Sequence, residues 1–129
     1  SHRERIRAAV NHGGPAHYAF TEDWIIKAQR GEYPFELAET LAYAFGRSSA
    51  EEWIEYSPRL SLLDQGILDR RCAPLLCVNG INDSVFPIAD MYLLLEHGDP
   101  KTARFFPGGH MGGGGAQPVI LAWLKENLR

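Results

Sequence analysis

Two short apolar runs, each closed by a glycine turn and followed by one ionisable residue, constrain the fold of this chain more than any other feature. Residues 73–80 lead to Asp83, and residues 102–109 lead to His110. Short apolar runs bounded by turn residues are typical of buried strands. Because open α/β sheets place their functional groups just past the carboxyl ends of the strands, we expect Asp83 and His110 to lie at one edge of a sheet.

A helical pattern follows each of these two strands. Pro87 is placed at the start of the first helix and Pro118 at the start of the second. The apolar spacing predicts one buried face on each helix, formed by Ile88, Met91, Tyr92 and Leu95 on the first and by Ile120, Trp123, Leu124 and Leu128 on the second. Upstream, residues 6–11 predict a third strand, bounded by a turn at residues 12–15. Strands that alternate with helices indicate an α/β protein with a mostly parallel sheet.

Helix signals fill the stretch between the first strand and the second. Thr21 is a predicted N-cap, and Pro34 opens a second predicted helix that Gly46 ends. Ser49 begins a third helix, because a glutamate follows it at capping-box spacing. Residues 61–68 predict a further short helical piece.

This helical stretch is longer than a crossover between parallel strands needs. We therefore predict a core strand and turn at residues 1–14, a helical cap inserted at residues 15–70, and the rest of the α/β core at residues 71–129. Three parallel strands alone leave an open sheet edge. Further strands are therefore expected N-terminal to residue 1 in the same gene product.

Composition narrows the class of protein. The 129 residues carry a net charge of -3 and no dense run of lysine and arginine, which argues against a nucleic-acid partner. The sequence has no apolar run of about 18 residues and no leader pattern, so neither a membrane span nor a signal peptide is predicted. Cys72 and Cys77 are interpreted as reduced thiols, which favours a cytoplasmic location.

Asp83 and His110 are the candidate catalytic residues. A histidine that acts as a general base needs a carboxylate to fix its tautomer and to stabilise the imidazolium. An aspartate after one strand and a histidine after the next would be neighbours if the two strands pair. For each residue alone an alternative stays open, because Asp83 could form an ordinary turn and His110 could be a plain loop residue.

The residues around this pair resemble those of a known superfamily. Residues 80–87 and 109–111 are similar to the acid and histidine elements of α/β hydrolases. Within that fold, residues 6–14, 33–40 and 96–101 resemble the fermentation-respiration-switch-like esterases and the fungal yellowish-green-type hydrolases, which shorten polyketides in pigment pathways. The resemblance implies the C-terminal portion of an α/β-hydrolase fold with a helical cap.

The resemblance also implies a chemistry. The group consists of serine hydrolases that cleave ester, thioester or ketone-adjacent carbon–carbon bonds without metal or organic cofactor. His110 would be the base and Asp83 its orienting acid. His17 and Tyr18, just after a glycine turn, are candidate substrate-binding residues, with a plain surface or core role as the open alternative. Three aromatic residues could shape the substrate site or form the core of the cap: Phe20, Trp24 and Trp53.

One departure from the family pattern concerns the nucleophile. The sequence contains no Gly-x-Ser-x-Gly, which in the family precedes the strand predicted at residues 6–11. None of the serines considered has that context: Ser1, Ser48, Ser49, Ser57, Ser61 and Ser84. The nucleophile is therefore expected upstream of this chain, and the chain alone is expected to be inactive. The expected partners are an acyl or polyketide-like small molecule and the N-terminal half of the same protein, with a homodimer left open and neither nucleic acid nor a membrane expected.

The same residues are compatible with other functions. The glycine run at residues 108–115 could form a phosphate-binding loop, but it lacks the Lys-Ser/Thr that follows such loops. A zinc site built from His97, His110 and Asp83 lacks motif spacing. The stronger alternative is a non-catalytic hydrolase-like protein that binds a ligand or partner, which a missing upstream serine would favour. An aspartate at the nucleophile position would indicate dehalogenase-like chemistry.

Overall fold

A three-stranded parallel sheet lies at the centre of the chain. The structure, a computed structural model, describes residues 5–31 and 36–129. Its strands are β1 (Ala9–His12), β2 (Leu75–Gly80) and β3 (Thr102–Phe106), in the spatial order β1-β2-β3. Both strand pairs are parallel, so the carboxyl ends of all three strands meet at one edge of the sheet. The parallel sheet expected from the alternating pattern is confirmed.

Strand β1 begins later than the apolar run predicts. Its pairing with β2 starts at Ala9, opposite Leu75, because β2 itself begins there. Ile6 lies before this point and is 47% exposed. At its other end the strand continues through His12, which was predicted to lie in the turn. Gly13 makes that turn with a positive φ of 66°, a conformation that favours glycine.

Three α-helices and two short 3-10 helices, Tyr18–Phe20 and Ser57–Leu60, lie among the described residues between β1 and β2. The α-helices are α1 (Glu22–Ala28), α2 (Leu37–Ala44) and α3 (Ala50–Tyr56). Thr21 is the N-cap residue of α1, although its side chain donates to the Tyr18 carbonyl rather than capping the helix. The predicted opening of α2 at Pro34 falls on residues 32–35, outside the described residues. Ser49 caps α3 as predicted, since its hydroxyl accepts the Glu52 N–H at 3.3 Å.

The prediction of a short helix at residues 61–68 is wrong. These residues form hydrogen-bonded turns instead of a helix. Ser61 accepts the Asp64 N–H with its side chain, and Gly66 has a positive φ of 63°. A left-handed glycine after a single turn ends a helix rather than extending it.

The helices between β1 and β2 share an apolar cluster of their own. It contains Ile25, Ala38, Ala42 and Trp53, each less than a tenth exposed. A separate cluster packs under the sheet around Cys77 and Met91. Trp53 is therefore a core residue of the helical segment. The assignment of residues 15–70 to a cap domain stays a prediction.

The sheet is covered by α4 (Ile88–Glu96) and α5 (Ala116–Asn127). The predicted face of α4 is wrong at Tyr92, which is 45% exposed, whereas Asp90 is fully buried. The reason is that α4 packs on the sheet with one side and on the segment after β1 with another. Helix α5 starts before Pro118, and Leu128 lies past its end, half exposed. In the part of the chain that the structure describes, no helix is both long and apolar enough for a membrane span.

Candidate active site

The paired strands β2 and β3 bring Asp83 and His110 together at the carboxyl edge of the sheet. Nδ1 of His110 lies 2.9 Å from Oδ2 of Asp83. The Asp83 side chain has no solvent exposure, whereas that of His110 is 23% exposed. The pair thus joins a buried carboxylate to a partly exposed imidazole. This is the arrangement in which a carboxylate orients a histidine base.

The other hydrogen bonds described for the Asp83 carboxylate all come from donors. Oδ1 accepts the backbone N–H groups of Val85 at 2.7 Å and Phe86 at 3.1 Å, and Oδ2 accepts Nδ2 of Asn79 at 2.7 Å. Because the carboxylate accepts throughout, the proton shared with His110 belongs on Nδ1. In the neutral imidazole this tautomer leaves the lone pair on Nε2, the atom that a general base uses.

Asn79 is the functional residue that the sequence reasoning missed. It is fully buried in β2, and its Oδ1 accepts the N–H of Met111 at 3.0 Å. One amide therefore touches both the acid and the residue that follows the histidine. The signal that could have revealed it is a single polar residue at the end of an otherwise apolar central strand, since buried polar side chains need partners.

The loop that carries His110 approaches β2 closely because Gly80 has no side chain. A Cβ placed on Gly80 would lie 1.9 Å from the carbonyl oxygen of Gly109 and 2.3 Å from that of Gly108. The Gly108 carbonyl also accepts the N–H of Asn82 at 2.9 Å, which joins the acid turn (residues 81–87) to the histidine loop (residues 107–115). Met111 has a positive φ of 66°, a strained conformation that costs on the order of 1–3 kcal/mol.

The close approach at Gly80 leaves no room for a side chain. Gly80→Ala is expected to destabilise the full-length protein by about 2 kcal/mol or more, because backbone must move to relieve the overlap. Gly114→Ala is the matched control, since nothing lies within 4 Å of a Cβ there. Urea unfolding of both variants measures the difference. Equal stability of the two would show that the histidine loop does not rest on Gly80.

Comparison with known proteins identifies the fold. No family model matches the sequence, and neither does any curated protein. Among solved structures, AbyA5 is 21% identical with a TM-score of 0.79, and the alignment covers 95% of this chain and 36% of that one. The chain has the fold of the C-terminal portion of an α/β hydrolase. The resemblance inferred from residues 80–87 and 109–111 is confirmed at the level of the fold.

Two other solved hydrolases agree with this fold. The 2,6-dihydroxy-pseudo-oxynicotine hydrolase is 20% identical with a TM-score of 0.71, and the alignment covers 96% of this chain and 34% of that one. A hydrolase from Pseudomonas aeruginosa PA01 is 16% identical with a TM-score of 0.52, with 92% and 54% covered. The chain spans about a third of the length of AbyA5 and of the oxynicotine hydrolase.

In this hydrolase fold, a cleft of about 450 Å³ lies beside the acid turn. Helix α1 supplies one wall with Trp24 and Lys27, and Nε1 of Trp24 donates to the Val85 carbonyl at 2.8 Å. The ammonium group of Lys27 lies 4.9 Å from the centre of the Trp24 ring. The remaining lining residues come from the acid turn and the start of α4: Ile81, Asn82, Asp83, Ser84, Pro87, Ile88 and Ala89.

His17 and Tyr18, the two candidate substrate-binding residues, do not line the cleft beside Asp83. Nδ1 of His17 is 2.7 Å from the Ser61 hydroxyl, and Tyr18 lines a smaller pocket against α4. The described contacts do not join either residue to His110 or Asp83. Their role in substrate binding stays a prediction.

The structure does not support the two alternative sites, the zinc site and the phosphate-binding loop. The zinc set is not assembled, because Nδ1 of His97 contacts Asp69 at 2.8 Å, and the described residues hold no group of three or more candidate metal ligands. The glycine loop turns two carbonyl oxygens, rather than a row of N–H groups, toward Gly80.

Both cysteines are free, and burial raises the pKa of the Cys77 thiol to about 11, so that thiol stays protonated.

Proposed function

We propose that this chain is the C-terminal part of a serine hydrolase whose nucleophile lies upstream of residue 1. The observation that carries the proposal is the bond of 2.9 Å between a buried Asp83 and His110 at the carboxyl edge of a parallel sheet. The fold shared with solved hydrolases supports it. In this proposal Asp83 and His110 are the catalytic acid and base.

The mechanism follows from the tautomer that Asp83 fixes. Nε2 of His110 takes the proton of the upstream serine as its oxygen attacks a carbonyl carbon. Asp83 stabilises the imidazolium that forms, and upstream backbone N–H groups bind the oxyanion. The imidazolium then gives its proton to the leaving group as the bond to it breaks. Water, activated by the same Nε2, hydrolyses the acyl-enzyme and returns the free serine.

The proposed substrate is an apolar or aromatic acyl compound, cleaved at an ester, thioester or ketone-adjacent carbon–carbon bond. The cleft beside Asp83 supports this choice, because Trp24 and three aliphatic residues line it. One similar protein is named as a hydrolase of 2,6-dihydroxy-pseudo-oxynicotine. The proposal also includes a polyketide-like substrate, the N-terminal half of the same protein as partner and a cytoplasmic location. A homodimer is left open.

The test uses the full-length gene product. A fluorophosphonate probe is expected to label one serine upstream of residue 1, identified by peptide mass spectrometry, and p-nitrophenyl esters and aryl ketones are expected to be cleaved. His110→Ala is expected to abolish both, because serine loses its base. His97→Ala is the matched control, since the His97 side chain contacts only exposed Asp69 among the described hydrogen bonds.

The opposite outcome favours a different class. A folded full-length protein that neither labels nor cleaves these substrates would be a non-catalytic hydrolase-fold protein that binds a ligand or partner. Release of halide from a haloalkane, together with an aspartate at the nucleophile position, would indicate dehalogenase-like chemistry. Labelling that persists in His110→Ala would show that another residue is the base.

A further inference from the structure

The residue after the catalytic histidine is held at both of its backbone polar groups. The N–H of Met111 donates to Oδ1 of Asn79 at 3.0 Å, and its carbonyl accepts Nε2 of His12 at 2.7 Å. Asn79 lies on β2 and His12 on β1, so two neighbouring strands hold one peptide of the histidine loop. Met111 is 39% exposed, and its backbone has a positive φ of 66°. These bonds counter the tendency of that backbone to relax.

Asn79 makes a second contact that His12 lacks. Its Nδ2 donates to Oδ2 of Asp83 at 2.7 Å, the same oxygen that accepts Nδ1 of His110. The two ends of one amide thus reach the acid and the loop of the base. Because the Met111 N–H can only donate, the amide oxygen must face it and the NH₂ must face the carboxylate. The orientation of the Asn79 side chain is therefore fixed by its partners.

We propose that Asn79 is the positioning residue of this site: it sets the place of Asp83 Oδ2 and of His110 relative to each other, so that Nε2 points at the nucleophile. The proposal rests on the proposed serine-hydrolase function. Asn79 does not touch the reacting atoms and acts through Asp83 and the Met111 peptide. His12 supports the same peptide from β1, and because Nε2–H is present in one neutral tautomer and in the imidazolium, either form can donate that bond.

Neither leucine nor aspartate meets both demands at this position. Leucine has a similar volume and neither a donor nor an acceptor, so it would leave Asp83 with one donor fewer and the Met111 N–H without its acceptor. Aspartate keeps the acceptor for Met111 but places a second carboxylate against Asp83. Two adjacent carboxylates hold one proton between them, and that proton is lost as the pH rises. Asn79 is fully buried, so water is not expected to replace the lost bonds.

The kinetic test compares these variants in the full-length protein. Asn79→Leu is expected to lower kcat by about 10²-fold with little change in KM, because a misplaced base slows the chemical step and not binding. Asn79→Asp is expected to keep partial activity at low pH, where its carboxyl proton donates to Asp83, and to lose it as the pH rises. A residue with a merely structural role would not add that limb to the pH profile. Asn127→Leu is the matched control, because that side chain bonds only within α5 among the described contacts.

A spectroscopic test separates this inference from the proposed function. With selectively ¹⁵N-labelled histidine, the Nδ1 proton of His110 is expected as a downfield resonance in the parent, and Asn79→Leu is expected to shift or broaden it. The assignment comes from its loss in His110→Ala. An unchanged resonance would overturn the role of Asn79 even if the enzyme is active. A changed resonance in a protein that no probe labels would support Asn79 as positioning residue while the serine-hydrolase function fails. If Asn79→Leu does not fold, the pH profile of Asn79→Asp decides, and a profile like that of the parent rejects the proposal.

Discussion

Asp83→Asn is expected to lower kcat of the full-length protein by about 10⁴-fold while the protein stays folded. The backbone N–H groups of Val85 and Phe86 bind one side of the side chain and require an oxygen there. The new NH₂ group must therefore take the place of Oδ2, where it donates to Nδ1 of His110. The proton of the imidazole then moves to Nε2, the atom that should accept the proton of serine. The histidine would thus be held in the wrong tautomer, and the new NH₂ group would also face the NH₂ of Asn79, which donates to Oδ2 in the parent.

Steady-state kinetics and circular dichroism of Asp83→Asn measure this effect. The surface pair of Asp69 and His97 offers a matched control, because its Nδ1–Oδ1 distance is 2.8 Å and the Asp69 side chain is 72% exposed. Asp69→Asn makes the same chemical change in a second His–Asp pair and is expected to leave kcat within about twofold, as exposed pairs contribute little. Activity of Asp83→Asn within tenfold of the parent would mean that Asp83 is not the acid of a catalytic triad.

The largest effect on stability is expected at Asp90. This fully buried carboxylate on α4 accepts four successive backbone N–H groups at 2.7 to 3.2 Å, those of Ala16, His17, Tyr18 and Ala19. These groups belong to the segment that leads from the turn after β1 into the helices. Asp90 therefore ties that segment to the helix that directly follows the acid turn.

Asp90→Ala is expected to lower the free energy of unfolding by about 3 kcal/mol or more, because it leaves several buried donors without an acceptor. Asp90→Asn keeps one acceptor oxygen and is expected to lose less. Glu96→Gln, on the exposed side of the same helix, is the control and is expected to change stability by less than about 0.5 kcal/mol.

Urea unfolding of the full-length protein gives these differences, and hydrogen exchange of the peptide covering residues 16–19 shows whether the loss is local. Fast exchange confined to that peptide in Asp90→Ala would show that Asp90 anchors the segment without setting global stability. Equal stability and unchanged exchange in Asp90→Ala would contradict the role given to the carboxylate.

Local patterns predicted the parts of the fold that depend on neighbouring residues in the chain. The N-cap at Ser49 forms as its spacing indicates, because its hydroxyl and the Glu52 N–H lie within one helical turn, whereas the Glu52 carboxylate accepts the N–H of Ser48 instead of that of Ser49. The start of β1 was predicted wrongly, since a strand begins where its partner begins. The helix predicted at residues 61–68 is wrong, since a glycine can end a single turn. The exposed Tyr92 has the same origin, because the neighbours of α4 decide which side is buried.

The sequence by itself determined the order of strands and helices and the placement of Asp83 and His110 after neighbouring strands. Those features follow from residue periodicity and from the rule that parallel strands end at one edge. Only the tertiary structure decided what holds the pair in place. Asn79 binds a residue 32 positions away, and Asp90 binds residues up to 74 positions away. A buried polar side chain must find partners wherever the folded chain supplies them, and that supply is set by packing rather than by local sequence.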